Sequence, residues 1–229
     1  MTLNFVNQVH PVIAFNKLKD RLLLLDFTEL NTELTEEVIG NIRSFSNHIQ
    51  SRLRNADAVF GIGGYNEHRT VYSRSHVFDP EIPGEEPRRL HLGIDIWGEA
   101  GTEVFAPLDG MVHSFAFNDQ YGDYGATIIL YHEADGNSFH SLYGHLSLKD
   151  LDGLTEGKKI RAGDLIAHFG EPEENGHWPP HLHFQLIMDM EGRKGDYPGV
   201  CKFSESEKYL LNCPDPDRVL GMMKYASTA

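Results

Sequence analysis

His91-Leu92-Gly93-Ile94-Asp95-Ile96 and His181-Leu182-His183-Phe184-Gln185-Leu186 are the two stretches on which the reading of this chain turns. Both alternate residue by residue. Side chains on a β-strand point to opposite faces with a period of two, so His91, Gly93 and Asp95 share one face while Leu92, Ile94 and Ile96 share the other. His181, His183 and Gln185 likewise oppose Leu182, Phe184 and Leu186. A helix would also bring positions 91 and 95 together, but Gly93 and the β-branched isoleucines favour a strand. The apolar faces belong in a core. The opposite faces carry imidazoles and a carboxylate, with a glycine where a bulkier residue would obstruct them.

Two imidazoles at positions i and i+2 of a strand lie roughly 7 Å apart, close enough to serve one small site. Catalytic zinc commonly takes three nitrogen or oxygen ligands from the protein and keeps one position for water. Two histidines and one carboxylate meet that need, and a remaining histidine beside the metal is placed to exchange protons. Structural zinc more often closes its shell with cysteines. The two present, Cys201 and Cys213, are 12 residues apart and form no metal-binding spacing, so they read as free or partly buried thiols. Among 13 histidines, those outside these two patterns are scattered.

Working outward, the stretch 59–190 reads as short strands, such as 102–106, 126–132 and 165–169, separated by glycine turns at Asp109-Gly110, Asp135-Gly136, Asp152-Gly153 and Asn175-Gly176. That density of turns predicts a mostly antiparallel sheet and argues against a βαβ fold. Residues 1–58 form a helical N-terminal extension. Thr35 caps its helix, Glu36 and Glu37 suit the positive end of the dipole, and Val38, Ile39, Ile42, Phe45, Ile49 and Leu53 recur at helical spacing up to a stop near Asn55. Residues 191–229, polar and containing Pro198, Pro214 and Pro216, are expected to wrap back on the core.

Acidic side chains outnumber basic ones 34 to 20, a formal charge of −14, which disfavours nucleic acid and anionic lipid as partners. No segment has the run of about 18–20 apolar residues that a membrane helix needs, and Met1 to Phe27 lacks a signal-peptide pattern. The expectation is a cytoplasmic, non-membrane protein, with its oligomeric state open.

Four ordered motifs, His91-x-x-x-Asp95, Gly101-Thr102-Glu103-Val104-Phe105-Ala106-Pro107-Leu108-Asp109-Gly110, Tyr143-Gly144-His145-Leu146-Ser147 and Pro180-His181-Leu182-His183-Phe184, together with the hairpin-like Gly157-Lys158-Lys159-Ile160-Arg161-Ala162-Gly163-Asp164-Leu165-Ile166, resemble lysostaphin/LytM-type zinc metallopeptidases. The resemblance covers about residues 88–190. It implies a lysostaphin-type β-sheet fold with the site in a groove, zinc held by His91, Asp95 and His183, and His145 and His181 as catalytic histidines. The substrate it implies is a peptide or peptidoglycan-like cross-link. Residues 63–69, with Asp196-Tyr197-Pro198-Gly199 and Cys213-Pro214-Asp215-Pro216, also resemble a subgroup joined to aminotransferase and kinase-like domains, which would suit a small cytoplasmic amide or peptide instead.

Candidate substrate contacts are Tyr65, Asn66 and Arg69 on the stretch leading to the first ligand, Tyr143 beside the third motif, and Trp178 in Glu173-Glu174-Asn175-Gly176-His177-Trp178-Pro179-Pro180, where the family has a shorter, glycine-containing stretch. Arg69 or Arg74 suits bidentate capture of a substrate carboxylate, and Asn66 is a candidate for the open metal position, as in latent family members. A non-catalytic scaffold is the competing reading, opposed by the presence of all five site residues. A lipoyl- or biotin-carrier reading fails because Lys149 lacks the exposed hairpin-tip setting.

Overall fold

The computed structural model describes residues 9–134 and 136–228. Residues 1–8 of the expected extension and Asp135 of the expected Asp135-Gly136 turn lie outside them. The strands are β1 (Leu22–Leu24), β2 (Phe60–Gly63), β3 (Glu67–His68), β4 (Leu90–His91), β5 (Ile94–Trp97), β6 (Glu103–Phe105), β7 (Gly110–Asn118), β8 (Gly125–Ala134), β9 (Asn137–Leu146), β10 (Lys159–Ile160), β11 (Leu165–His168), β12 (His181–Ile187), β13 (Val200–Cys201) and β14 (Ala226–Ser227). The α-helices are α1 (Glu36–Ile39), α2 (Ile42–Asn55), α3 (Ser206–Asn212) and α4 (Asp217–Leu220).

Among the described residues, nine strands form one sheet in the order β10-β7-β8-β9-β12-β5-β2-β1-β14. It is antiparallel except where β1 pairs with β2 and β14. A mostly β fold on an antiparallel sheet is what the turn density predicts. One face of the sheet builds the main core from Ile94, Ile96, Ile128, Leu130, Tyr143, Leu182, Phe184 and Leu186. On the other face, α2 covers one flank, packing Phe45, Ile49 and Leu53 with Phe27 and Trp97. The C-terminal segment covers the opposite flank through Tyr197, Cys201 and Cys213 against Leu142 and Ile187. Between those flanks lies the middle of β5, β12 and β9.

Two local features differ from the sequence reading. The expected single helix from Thr35 is broken. Thr35 caps α1, and the chain then restarts at Asn41, whose side chain accepts from the Ser44 amide and caps α2. Asn41 competes for the backbone as a cap rather than continuing the helix. The expected strand 91–96 is also divided. His91 ends β4, which lies in a separate three-stranded sheet with β3 and β13, while Asp95 sits on β5 of the large sheet. The chain changes sheets at Leu92-Gly93, so its side chains meet by crossing between sheets rather than by sharing one strand face.

Candidate metal centre and its cavity

Antiparallel pairing sets His183 opposite Asp95 and opposite Gly144 of β9, which brings the two motif stretches side by side. Gly93 is needed at the crossing, because a Cβ there would run into the His183 ring and the Phe184 carbonyl. His91, Asp95 and His183 are buried together, each offering one ligand atom to a common point. His91 Nε2 lies 2.9 Å from His183 Nδ1 and 3.3 Å from Asp95 Oδ1, and His183 Nδ1 lies 3.0 Å from Asp95 Oδ1. Ligands about 2.0–2.1 Å from a tetrahedral zinc are roughly 3.3 Å apart, so the triangle is close to the right size.

The hydrogens at this triangle follow from its outer partners. His91 Nδ1 is 2.8 Å from the Gly64 carbonyl, which can only accept, so the hydrogen sits on Nδ1 and Nε2 is bare. Gln185 spends its amide nitrogen on Pro198 O and Cys213 Sγ, leaving Oε1 to accept from His183 Nε2 at 2.9 Å. His183 Nδ1 is then bare as well. Asp95 stays ionised: burial works against the charge, but the neighbouring His91 and Arg69 hold its carboxyl well below the usual range. Burial, with Arg69 nearby, holds His91 down at about 3, so it is neutral at pH 7. Three lone pairs therefore face one another in a buried spot, an arrangement that repels itself unless a cation lies among them.

His145 and His181 stack beside this triangle with ring centroids 4.1 Å apart. His145 Nδ1 donates to Asn175 O at 2.7 Å and His181 Nδ1 to Pro179 O at 2.8 Å, which leaves a lone pair on each Nε2. Burial pushes His181 down to about 4 and, with His181 adjacent, His145 well below its ordinary value. His145 reaches this face by an irregularity. The β8–β9 register shifts between Ala126 and Ile128, and His145 takes a left-handed φ of 62°. A bulge re-aims a side chain, and strained backbone at a chemical centre is a common pairing.

The site opens into a cavity of about 350 Å³ whose walls come from residues 69–78, 122–124 and 193–200 together with Trp178. Several expected substrate contacts are placed elsewhere. Tyr143 is fully buried on the core face against Phe184, because it pairs with Phe184 rather than with His183. Tyr65 donates its hydroxyl to Cys213 O at 2.8 Å and does not line the cavity. Asn66 is a left-handed turn residue with φ 55° whose amide donates to His91 O; its side chain does not line the cavity either. Arg69 lines the cavity but is committed to Asp95 and Glu67, and Arg74 donates to His177 O and Tyr121 Oη. Trp178 does line the cavity, and its buried indole Nε1 has no hydrogen-bond partner among the described residues.

The pattern reading missed several contributors. Trp97, opposite His181 in the ladder, stacks on that ring with centroids 4.0 Å apart. Gln185, on the same alternating face as the histidines, carried the signal of its role in its spacing alone. Asp123 and Tyr124 come from a distant loop with no local pattern that would mark them as cavity residues, and Asp196 and Tyr197 stood out only in the subgroup resemblance, not as cavity residues.

Residues 89–195 match the family model described as Peptidase family M23. The DD-carboxypeptidase/endopeptidase Mpg of Neisseria meningitidis serogroup B is 34% identical over 129 residues, covering 56% of this chain and 27% of that protein. The L-Ala--D-Glu endopeptidase of Bacillus subtilis is 28% identical over 126 residues, 53% of this chain and 36% of that one. This chain thus spans well under two thirds of either relative. Among solved structures, the catalytic domain of lysostaphin from Staphylococcus simulans aligns over 73% of this chain and 98% of that one at 19% identity, with a TM-score of 0.39. The matched stretch contains the three facing ligand atoms and both stacked histidines, and over residues 89–195 the chain is similar to Peptidase family M23.

Proposed function

We propose that this chain is a zinc-dependent peptidase that hydrolyses a peptide bond in a short peptidoglycan-type peptide. The observation that carries the reading is the triangle of bare His91 Nε2, His183 Nδ1 and Asp95 Oδ1, each with its other polar atom already held by the protein. These three residues would hold the zinc. When bound, zinc supplies Lewis acidity toward the amide carbonyl and makes water nucleophilic near neutral pH. His145 or His181, each neutral and with a free Nε2 lone pair, accepts the proton of the attacking water. The ring so protonated then donates that proton to the leaving amine. Trp178 offers its unpartnered Nε1–H to the substrate. The names of the two relatives, both peptidases, support peptide-bond hydrolysis and a peptidoglycan-type substrate.

A second reading, a small peptide or amide unrelated to the cell wall, is favoured by the cavity. Its volume of about 350 Å³ is at the low end of small-ligand pockets, and residues 193–200 wall one side of it. The test is metal analysis of the purified chain, followed by incubation with soluble muropeptides, intact peptidoglycan and a panel of dipeptides. The expected result is one zinc per chain, cleavage of muropeptides, and a drop of about 100-fold or more for His145→Ala and His181→Ala at unchanged zinc content. Cleavage of dipeptides alone would select the second reading. Sub-stoichiometric metal with no hydrolysis would return the chain to a scaffold.

A further inference from the structure

The stretch Gly64-Tyr65-Asn66-Glu67-His68-Arg69 is built around the first two ligands, although it precedes them by more than twenty residues. Its Gly64 carbonyl holds His91 Nδ1, its Asn66 amide holds the His91 carbonyl, and Glu67 faces His91 across the β3–β4 ladder. Arg69 completes the arrangement. Its side chain is 2% exposed. Its Nε donates to Glu67 Oε2 at 2.6 Å, one terminal nitrogen donates to Asp95 Oδ2, and the other donates to Gly63 O at 3.2 Å. The guanidinium also lies over the Phe27 ring, 5.0 Å from its centroid. Gly64, at φ 99°, leaves room for it, since a Cβ there would run into the guanidinium.

We infer that Arg69 is a positioning residue that occupies Asp95 Oδ2 and so leaves Asp95 a single oxygen, Oδ1, for the metal. The inference rests on the metal-centre reading above. A carboxylate with both oxygens free can chelate a cation with two, which raises the coordination number and crowds the position left for water or substrate. Arginine suits the task because its planar fork holds Asp95, Glu67 and the Gly63 carbonyl at once, which a lysine ammonium cannot do in the same geometry. All three guanidinium nitrogens are engaged within the protein, so a substrate carboxylate is not their partner.

The experiment replaces zinc by cobalt(II) in the full chain and records visible absorption, which is several-fold stronger for four-coordinate cobalt than for five- or six-coordinate cobalt. The wild-type chain is expected to give the strong four-coordinate band. Arg69→Met is expected to weaken that band several-fold at equal cobalt occupancy, and Arg69→Lys to weaken it by less. A wild-type band in a folded, fully loaded Arg69→Met overturns the inference. If Arg69→Met does not fold, Arg69→Lys decides, and a band indistinguishable from wild type overturns it. A wild-type chain that takes up no cobalt or zinc removes the metal-centre reading and the inference with it, whereas normal uptake with unchanged spectra in the variants removes the inference alone.

Discussion

Gly93 stands where two requirements meet: the chain must cross from one sheet to another, and the His183 ring must come close to the backbone there. Any Cβ at this position meets the His183 imidazole and the Phe184 carbonyl, and overpacking of a rigid, buried site costs about 1–3 kcal/mol. Gly93→Ala should therefore lower stability to urea by that order and displace His183 enough to weaken metal retention, measured by competition with a chelator. Retention equal to wild type would show that the ring can shift without consequence. His145 obeys a different residue-level rule. Regular alternation would turn it toward the core beside Tyr143, and only the bulge and left-handed backbone bring it to the site. That is also why the single motif Tyr143-Gly144-His145-Leu146-Ser147 contains one cavity residue, His145, and one core residue, Tyr143.

At the scale of elements, the N-terminal helix is a structural support for the face that carries the candidate site. Phe45 of α2 is fully buried, in ring contact with Phe27, Trp97 and Trp178, and Trp97 stacks on His181. Phe45→Ala should cost about 3–5 kcal/mol by chemical denaturation, the range for a large aromatic removed from a packed core. It should also reduce turnover more than Asn41→Ala, which loses only the α2 cap, worth about 1 kcal/mol. Equal turnover in the two variants at matched folded fraction would mean that α2 stabilises the sheet without holding His181. The same pattern appears on the other flank, where Cys213 Sγ accepts from Gln185, the residue that holds His183. Both cysteines are buried and free, and burial pushes each thiol up to about 12, so they serve as packing groups.

At the scale of the whole molecule, the cavity carries a pH signature. Asp123 lies in its wall, and burial, reinforced by Asp196, pushes its carboxyl up to about 6 even though the Tyr124 amide donates to it. The folded chain thus holds this proton where the unfolded chain, near the ordinary value, has lost it. The contribution to stability is intact below about pH 4, falls as pH rises toward 6, and stays low above it. Asp123→Asn should consequently be more stable than wild type above pH 6, by about 1–2 kcal/mol after allowing for partial exposure, and lose that advantage near pH 4. Thermal unfolding at pH 4 and pH 7.5 checks this, and a gap independent of pH would contradict it.

Alternation in the two opening stretches, the density of glycine turns and the helical stripe from Val38 to Leu53 were enough to specify strands, an antiparallel sheet, a helix and the set of residues now found around one point. These are local properties, written in side-chain period and turn chemistry. Tertiary structure alone decided that His91 and Asp95 lie on different sheets, that Tyr143 faces inward, and that Arg69 grips Asp95 rather than a substrate. It also decided which loops wall the cavity. Each of those depends on the packing of segments far apart in sequence, where a bulge, a sheet crossing or a buried ion pair is set by what lies opposite and leaves no periodic trace in the chain itself.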